Sequence, residues 1–216
     1  MCHLRSGRVI PYLAVSLICG WFFSTPARAD QYHGMNAGAP VWGGSIEFTQ
    51  AKAAAIAATG CRAVRVNFRL DGHASWDAAI LATYDTVITR ALNNNLTVLG
   101  LFSNECMPVG QDQWNNDPDG DGMNTYVVDF SNTVLLLVDR YKTQIKRWEI
   151  WNEPSCWSVD PSTHDPRYVG CTYVLPRVYA NLLAESYKQL EYNAGRSILS
   201  DYGISLVSGG LFAHEI

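Results

Sequence analysis

Residues 147–154 read Arg147-Trp148-Glu149-Ile150-Trp151-Asn152-Glu153-Pro154, and the reading of this stretch decides the fold. It has the pattern of a short apolar strand that stops at an Asn-Glu pair. Pro154 follows at once, biases Glu153 away from helix and has no N–H to offer a sheet ladder. A carboxylate and an amide are thus expected together at the carboxyl end of a strand.

Working outward, the same kind of strand recurs, and helical patterns separate the copies. Arg62–Phe68 alternates Val64, Val66 and Phe68 with Arg65 and Asn67, so the two sets face opposite sides of a sheet. Leu96–Phe102 is nearly continuous in apolar residues, which fits a strand covered on both faces. Gln31–Ala37 and Ile204–Leu211 are the first and last strand candidates. Helices are predicted from Ser45, as a cap, to about Thr59, from Trp76 to Asn93, from Asn124 to Tyr141 and from Leu175 to Tyr192. Strand and helix in regular alternation mean βαβ units and a parallel sheet. No GxGxxG follows the first strand, which argues against a dinucleotide-binding open sheet. Polar Arg65, Asn67 and Glu149 on inward positions suit a TIM (β/α)₈ barrel whose lumen leads to a site. Glu149 is expected to pair with Arg65, because a buried carboxylate needs a partner.

Arg5 and Arg8, an apolar run to about Phe23 and Ala27-Arg28-Ala29 form a secretory signal pattern. Residues 1–29 are therefore expected to be a signal peptide, with a secreted or periplasmic chain over 30–216. The chain carries a formal charge of −4 at pH 7, and losing three arginines with the signal makes the remainder more acidic. No basic cluster is left for nucleic acid or, after signal cleavage, for a membrane surface. In an oxidising compartment Cys156 and Cys171, which flank one loop, are the preferred disulfide. Cys61 and Cys106 fall at opposite strand ends, and Cys61 is expected to be a buried thiol.

The segment WEIWNEP closely resembles the fourth-strand motif of clan A glycoside hydrolases, the retaining (β/α)₈ enzymes that include cellulase-type family 5 and family 39. The likeness extends back through AAAIAATGCRAVRVNF and YVVDFSNTVLLLVDRYKTQIKRWEIWNEP, and forward to about Leu211. The resemblance implies hydrolysis of a β-linked oligo- or polysaccharide by double displacement. Glu153 matches the acid/base, Asn152 the amide that holds the sugar 2-hydroxyl, and Arg65 the Arg that orients the nucleophile. A general acid must be protonated near neutral pH, and Trp148, Trp151 and Trp157 are expected to supply the apolar surroundings that favour this. Retaining enzymes need two carboxylates ~5–5.5 Å apart. The resemblance places the second on a seventh strand, whereas five strands are predicted here and a complete barrel takes ~250 residues. An incomplete barrel of about the first five βα units is therefore expected. Glu105 and Glu215, ending the strands beside the motif, are the substitutes at hand. The family's third-strand His is replaced by Phe102-Ser103-Asn104-Glu105. The alternative reading is a truncated, inactive carbohydrate-binding remnant with exposed sheet edges.

Trp42, Trp114 and Trp157 fall in loops on the expected active-site face, where an indole can stack on a pyranose ring. Asp117, Asp119 and Asp121 have the DxDxDG spacing of a structural calcium loop, but Val128 stands where the bidentate Glu belongs. An acidic turn before a helix is the plainer reading. No cofactor is expected otherwise. His33-Gly34-Met35 lacks the HxH of a metal-dependent amidohydrolase, and His164 and His214 are isolated.

Overall fold

The computed structural model describes residues 33–156, 171–192 and 195–211. The expected signal peptide, Trp157, His164, His214 and Glu215 lie outside these residues. Five parallel strands form one sheet: β1 (Gly34–Asn36), β4 (Ala63–Phe68), β5 (Thr97–Phe102), β6 (Arg147–Ile150) and β7 (Ser205–Ser208). They lie side by side in chain order. A doubly wound sheet reverses its strand order at a switch point; this one never does, which is the winding of a barrel. Helices α1 (Gln50–Ala58), α2 (Ala78–Asn93), α4 (Thr125–Tyr141) and α5 (Pro176–Glu191) fill the connections, with short α3 (Gln111–Trp114) and α6 (Ile198–Tyr202). The chain therefore forms an incomplete (β/α)₈ barrel among the described residues.

Strand alternation divides the sheet as its pattern requires. Val64, Val66, Phe68, Val98, Phe102, Trp148 and Ile150 are buried in one core with the helices. Phe68 stacks on Tyr84 of α2 at 4.6 Å between ring centroids, and Trp148 stacks on Phe102 at 4.8 Å. Gly100, between them in register with Trp148, leaves room for the indole: a Cβ there would lie 2.3 Å from the Trp148 ring. A Gly100→Ala variant is expected to lose about 1–3 kcal/mol by overpacking, measured as a lower denaturation midpoint. The opposite face carries Arg65, Asn67, Leu101 and Glu149, with Val207 39% exposed on the edge strand.

Helix starts follow capping chemistry. Asp77 caps α2 through the Ala79 and Ile80 N–H groups, and Asn124 caps α4 through the Val127 N–H. Ser45 does not cap α1; Thr49 does, accepting from the Lys52 N–H at 3.1 Å. Ser45 and Ile46 instead form β3, which pairs antiparallel with β2 (Val41–Trp42). Gly43 and Gly44, at φ 57° and 80°, make the two-residue turn that such a hairpin needs. Their N–H groups both donate to the Asp71 carboxylate, at 3.1 and 2.8 Å. Cys61, expected to be buried, is partly exposed where the chain enters β4, and Cys106 is the buried thiol. Burial pushes the Cys106 thiol well above its usual range.

Helices α2 and α4 are also linked by charge. Arg140 pairs with Asp85, which accepts a further hydrogen bond from the Tyr141 hydroxyl at 2.9 Å. The Arg140 hydrogen bond holds the Asp85 carboxyl below its ordinary value of 3.8. A depressed acid contributes stability above its unfolded value and loses that contribution as pH falls through the folded one. Asp85→Asn is therefore expected to cost roughly 0.5 kcal/mol at neutral pH, small because the pair is largely solvated. The difference between the thermal melts of the two proteins should close as pH drops below 3.8.

Candidate active site

The site is built where β6 ends. Ile150 is the last strand residue, and the chain then turns through Trp151 at φ 72° and Glu153 at φ 49°. Left-handed conformations are uncommon for residues with a side chain and cost about 1–3 kcal/mol each, so neighbours must hold them. The Trp151 N–H donates to the Phe102 carbonyl at 2.6 Å, and its indole Nε1 donates to the Thr172 carbonyl at 2.6 Å. Glu153 offers its carbonyl to the Cys156 N–H at 2.8 Å and to the Thr172 hydroxyl at 3.1 Å. Gly209, after β7, is a glycine because a Cβ would stand 2.3 Å from the Trp151 carbonyl oxygen.

This turn breaks strand alternation. Trp151 packs against Trp114 and against Tyr126 and Phe130 of α4, and Asn152 comes to the same side as Glu149. Arg65 joins the two. Its Nε donates to Glu149 Oε2 at 2.7 Å and its Nη2 donates both to Glu149 Oε1 and to Asn152 Oδ1 at 2.9 Å. Glu149 is 7% exposed, so the two bonds from one guanidinium compensate a buried carboxylate.

A second polar group lies beside the first at the carboxyl ends of β4 and β5. Asn67 Nδ2 donates to Glu105 Oε2, and Arg69 pairs with Glu105 Oε1 at 3.1 Å. The Arg69 guanidinium lies 4.5 Å over the Trp42 ring, and Trp42 is 61% exposed. The Tyr84 hydroxyl accepts the Arg69 N–H at 2.7 Å and donates back to the Asn67 carbonyl at 3.0 Å, fixing the strand end. Arg65, Asn67, Arg69, Glu105, Asn152 and Thr172 line one cleft of about 440 Å³ at the carboxyl ends of the strands. Asn67 and Arg69 follow Arg65 at a spacing of two, the period that puts them on its face; that signal was present in the sequence. A more apolar hollow of about 470 Å³ lies nearer the opposite strand ends, lined by Ala63, Val98 and Leu99 together with Gln144, Lys146 and Arg147.

Several expected site residues are placed elsewhere. Trp114 is 3% exposed and donates its indole N–H to the Tyr173 carbonyl at 3.0 Å, so it cannot stack on a sugar. Trp148 is buried on the helix side of the sheet and Trp151 behind the turn, so neither faces the cleft from that strand. The DxDxDG turn is filled by a guanidinium. Asp117 pairs with Arg177 of α5 at 2.9 Å and accepts the Gly122 N–H, while Asp121 accepts the Met123 N–H. Among the described residues no group of three or more His, Cys, Asp or Glu side chains gathers as for a metal. A disulfide joins Cys156 and Cys171, with Cα atoms 5.7 Å apart.

Comparison with known proteins agrees with this architecture. The family model described as cellulase (glycosyl hydrolase family 5) matches residues 23–168. No curated protein matches the chain. Among solved structures, a rice β-glucosidase is similar at 13% identity and a TM-score of 0.53, over 73% of this chain and 36% of that one. A family 1 β-glucosidase from the fungus Humicola insolens, in complex with glucose, matches at 15% identity and a TM-score of 0.53, over 74% and 36%. The β-glucosidase from Trichoderma harzianum matches at 15% identity and 0.52, over 76% and 38%. At these identities the likeness is one of fold, and the chain spans little more than a third of the length of those structures.

Proposed function

The chain belongs to the cellulase family, glycosyl hydrolase family 5, and on that premise we propose that its strand-end cleft serves retaining hydrolysis of a β-linked glycan, with Glu153 as acid/base. Glu153 first protonates the leaving oxygen and then deprotonates the water that releases the sugar. Asn152 donates from its amide to the sugar 2-hydroxyl, a bond that strengthens as charge develops at the anomeric carbon. The nucleophile in this reading comes from a seventh strand. Arg65, which the family resemblance would assign to the nucleophile, is a positioning residue here: it holds Asn152 through Oδ1 and leaves the amide nitrogen directed by that bond.

The observation that carries the reading is the Arg65 clamp on Glu149 and Asn152 at the end of β6, next to Glu153 and beside the cleft. A rigid amide at a strand end is what orientation of a sugar hydroxyl demands. Trp42 is the candidate sugar platform: one face of its ring meets Arg69 and the ring remains largely exposed. Residues 1–29 have the pattern of a secretory signal, and a secreted or periplasmic enzyme fits a polysaccharide substrate. The test is hydrolysis of aryl β-glycosides by the full-length protein and its Glu153→Gln variant. Unchanged activity in the variant overturns the assignment.

A further inference from the structure

The left-handed turn that presents Glu153 is not held by its own strand alone. Segment 172–175, which follows the disulfide, lies against it and is itself firmly mounted. Asn115, 1% exposed, donates through Nδ2 to the Tyr173 carbonyl at 3.0 Å and accepts the Leu175 N–H through Oδ1 at 2.8 Å. Trp114 Nε1 donates to the same Tyr173 carbonyl. On its other side the segment bonds to the turn three times. Thr172 takes the Trp151 indole N–H on its carbonyl and gives its hydroxyl proton to the Glu153 carbonyl, and the Val174 N–H donates to the Pro154 carbonyl at 3.1 Å. The Cys156–Cys171 disulfide ties this segment to the turn, joining the residue three after Glu153 to the one before Thr172.

We infer that Thr172 is a positioning residue for Glu153, its hydroxyl fixing the main chain of the acid/base in the left-handed conformation that aims the carboxyl at the leaving oxygen. Thr172 also lines the cleft, so the bond lies at its wall and within the same rigid frame as Asn152. Two non-glycine residues at positive φ within three positions would relax toward extended backbone without such bonds. A small displacement of a proton donor is enough to lower its rate contribution without unfolding anything. The inference rests on the acid/base reading of Glu153.

The experiment compares Thr172→Val and Thr172→Ser with the parent full-length protein on two glycosides. One has an unactivated alkyl or phenyl leaving group, and the other a 2,4-dinitrophenyl group that departs without protonation. Thr172→Val, which keeps the shape and removes the hydroxyl, is expected to lower kcat/KM about tenfold for the unactivated substrate and to leave the activated one unchanged, since only the first needs the acid. Thr172→Ser should restore most of the loss. Equal losses on both substrates, or a rise in KM alone, would mean that the hydroxyl supports the fold or touches the sugar, and overturn the inference. So would a Val variant indistinguishable from the parent. If Glu153→Gln kept full activity, the acid/base reading itself would fall; if that variant were inactive while Thr172→Val stayed normal, only the role of Thr172 would.

Discussion

Replacing Glu153 by alanine is expected to lower kcat/KM for an unactivated aryl β-glycoside by about 10²–10⁴-fold, the range a positioned general acid contributes. The same variant should keep nearly full kcat/KM on a 2,4-dinitrophenyl glycoside. The difference follows from double displacement. The first step breaks the bond to the leaving oxygen and needs a proton only when that oxygen is a poor leaving group. The second step needs a base for water whatever group has left, so kcat falls on both substrates and the glycosyl-enzyme accumulates. Azide, a nucleophile that requires no deprotonation, should restore kcat on the activated substrate and yield a β-glycosyl azide. Equal loss on both substrates in kcat/KM, with no azide effect, would instead mark Glu153 as a structural residue of the turn. Its φ of 49° makes that control necessary, because a change of side chain there also touches strained backbone.

Much of the sheet was legible because the deciding residues are local. β4 alternates buried Val64, Val66 and Phe68 with partly exposed Arg65 and Asn67, and that period needs no tertiary information to read. The pairing of Arg65 with Glu149, which reaches across β5, follows from the same periodicity once β4 and β6 turn these residues to one face of the sheet. Ser45 has a cap's chemistry and stands before a helical pattern, but Gly43-Gly44, the stronger local signal, makes it a hairpin residue and leaves the cap to Thr49. The tryptophans were harder. Trp114 and Trp151 sit in polar stretches, and only their contacts across the chain, with Tyr173 and Thr172, take them into the core. The left-handed turn at Trp151 could not be read at all. Nothing in WNEP requires it locally; Phe102 and Thr172, both distant in the chain, help to hold it, and it decides which side chains share a face with Glu149.

Arg65→Met is expected to be the most destabilising single change near the site, by about 3–5 kcal/mol, because it leaves the Glu149 carboxylate buried without its cation. The two bonds at 2.7 and 2.9 Å are the charge compensation Glu149 receives from β4, and its side chain is only 9% exposed. The double variant Arg65→Met with Glu149→Leu removes both charges and should recover most of that loss, since an apolar pair of similar volume often replaces a buried ion pair at little cost. A denaturant-melt cycle over the four proteins measures the coupling. Activity should separate from stability in the same series. Asn152 loses the bond to Arg65 Nη2 in both variants, so kcat should stay about 10²-fold low in the double variant even as its melt returns toward the parent. A double variant that regained full activity would show that Asn152 needs no guanidinium to hold it, and Arg65 would then serve only the Glu149 charge. A double variant that stayed as unstable as Arg65→Met would place the cost elsewhere, in the packing of the guanidinium stem against the strand.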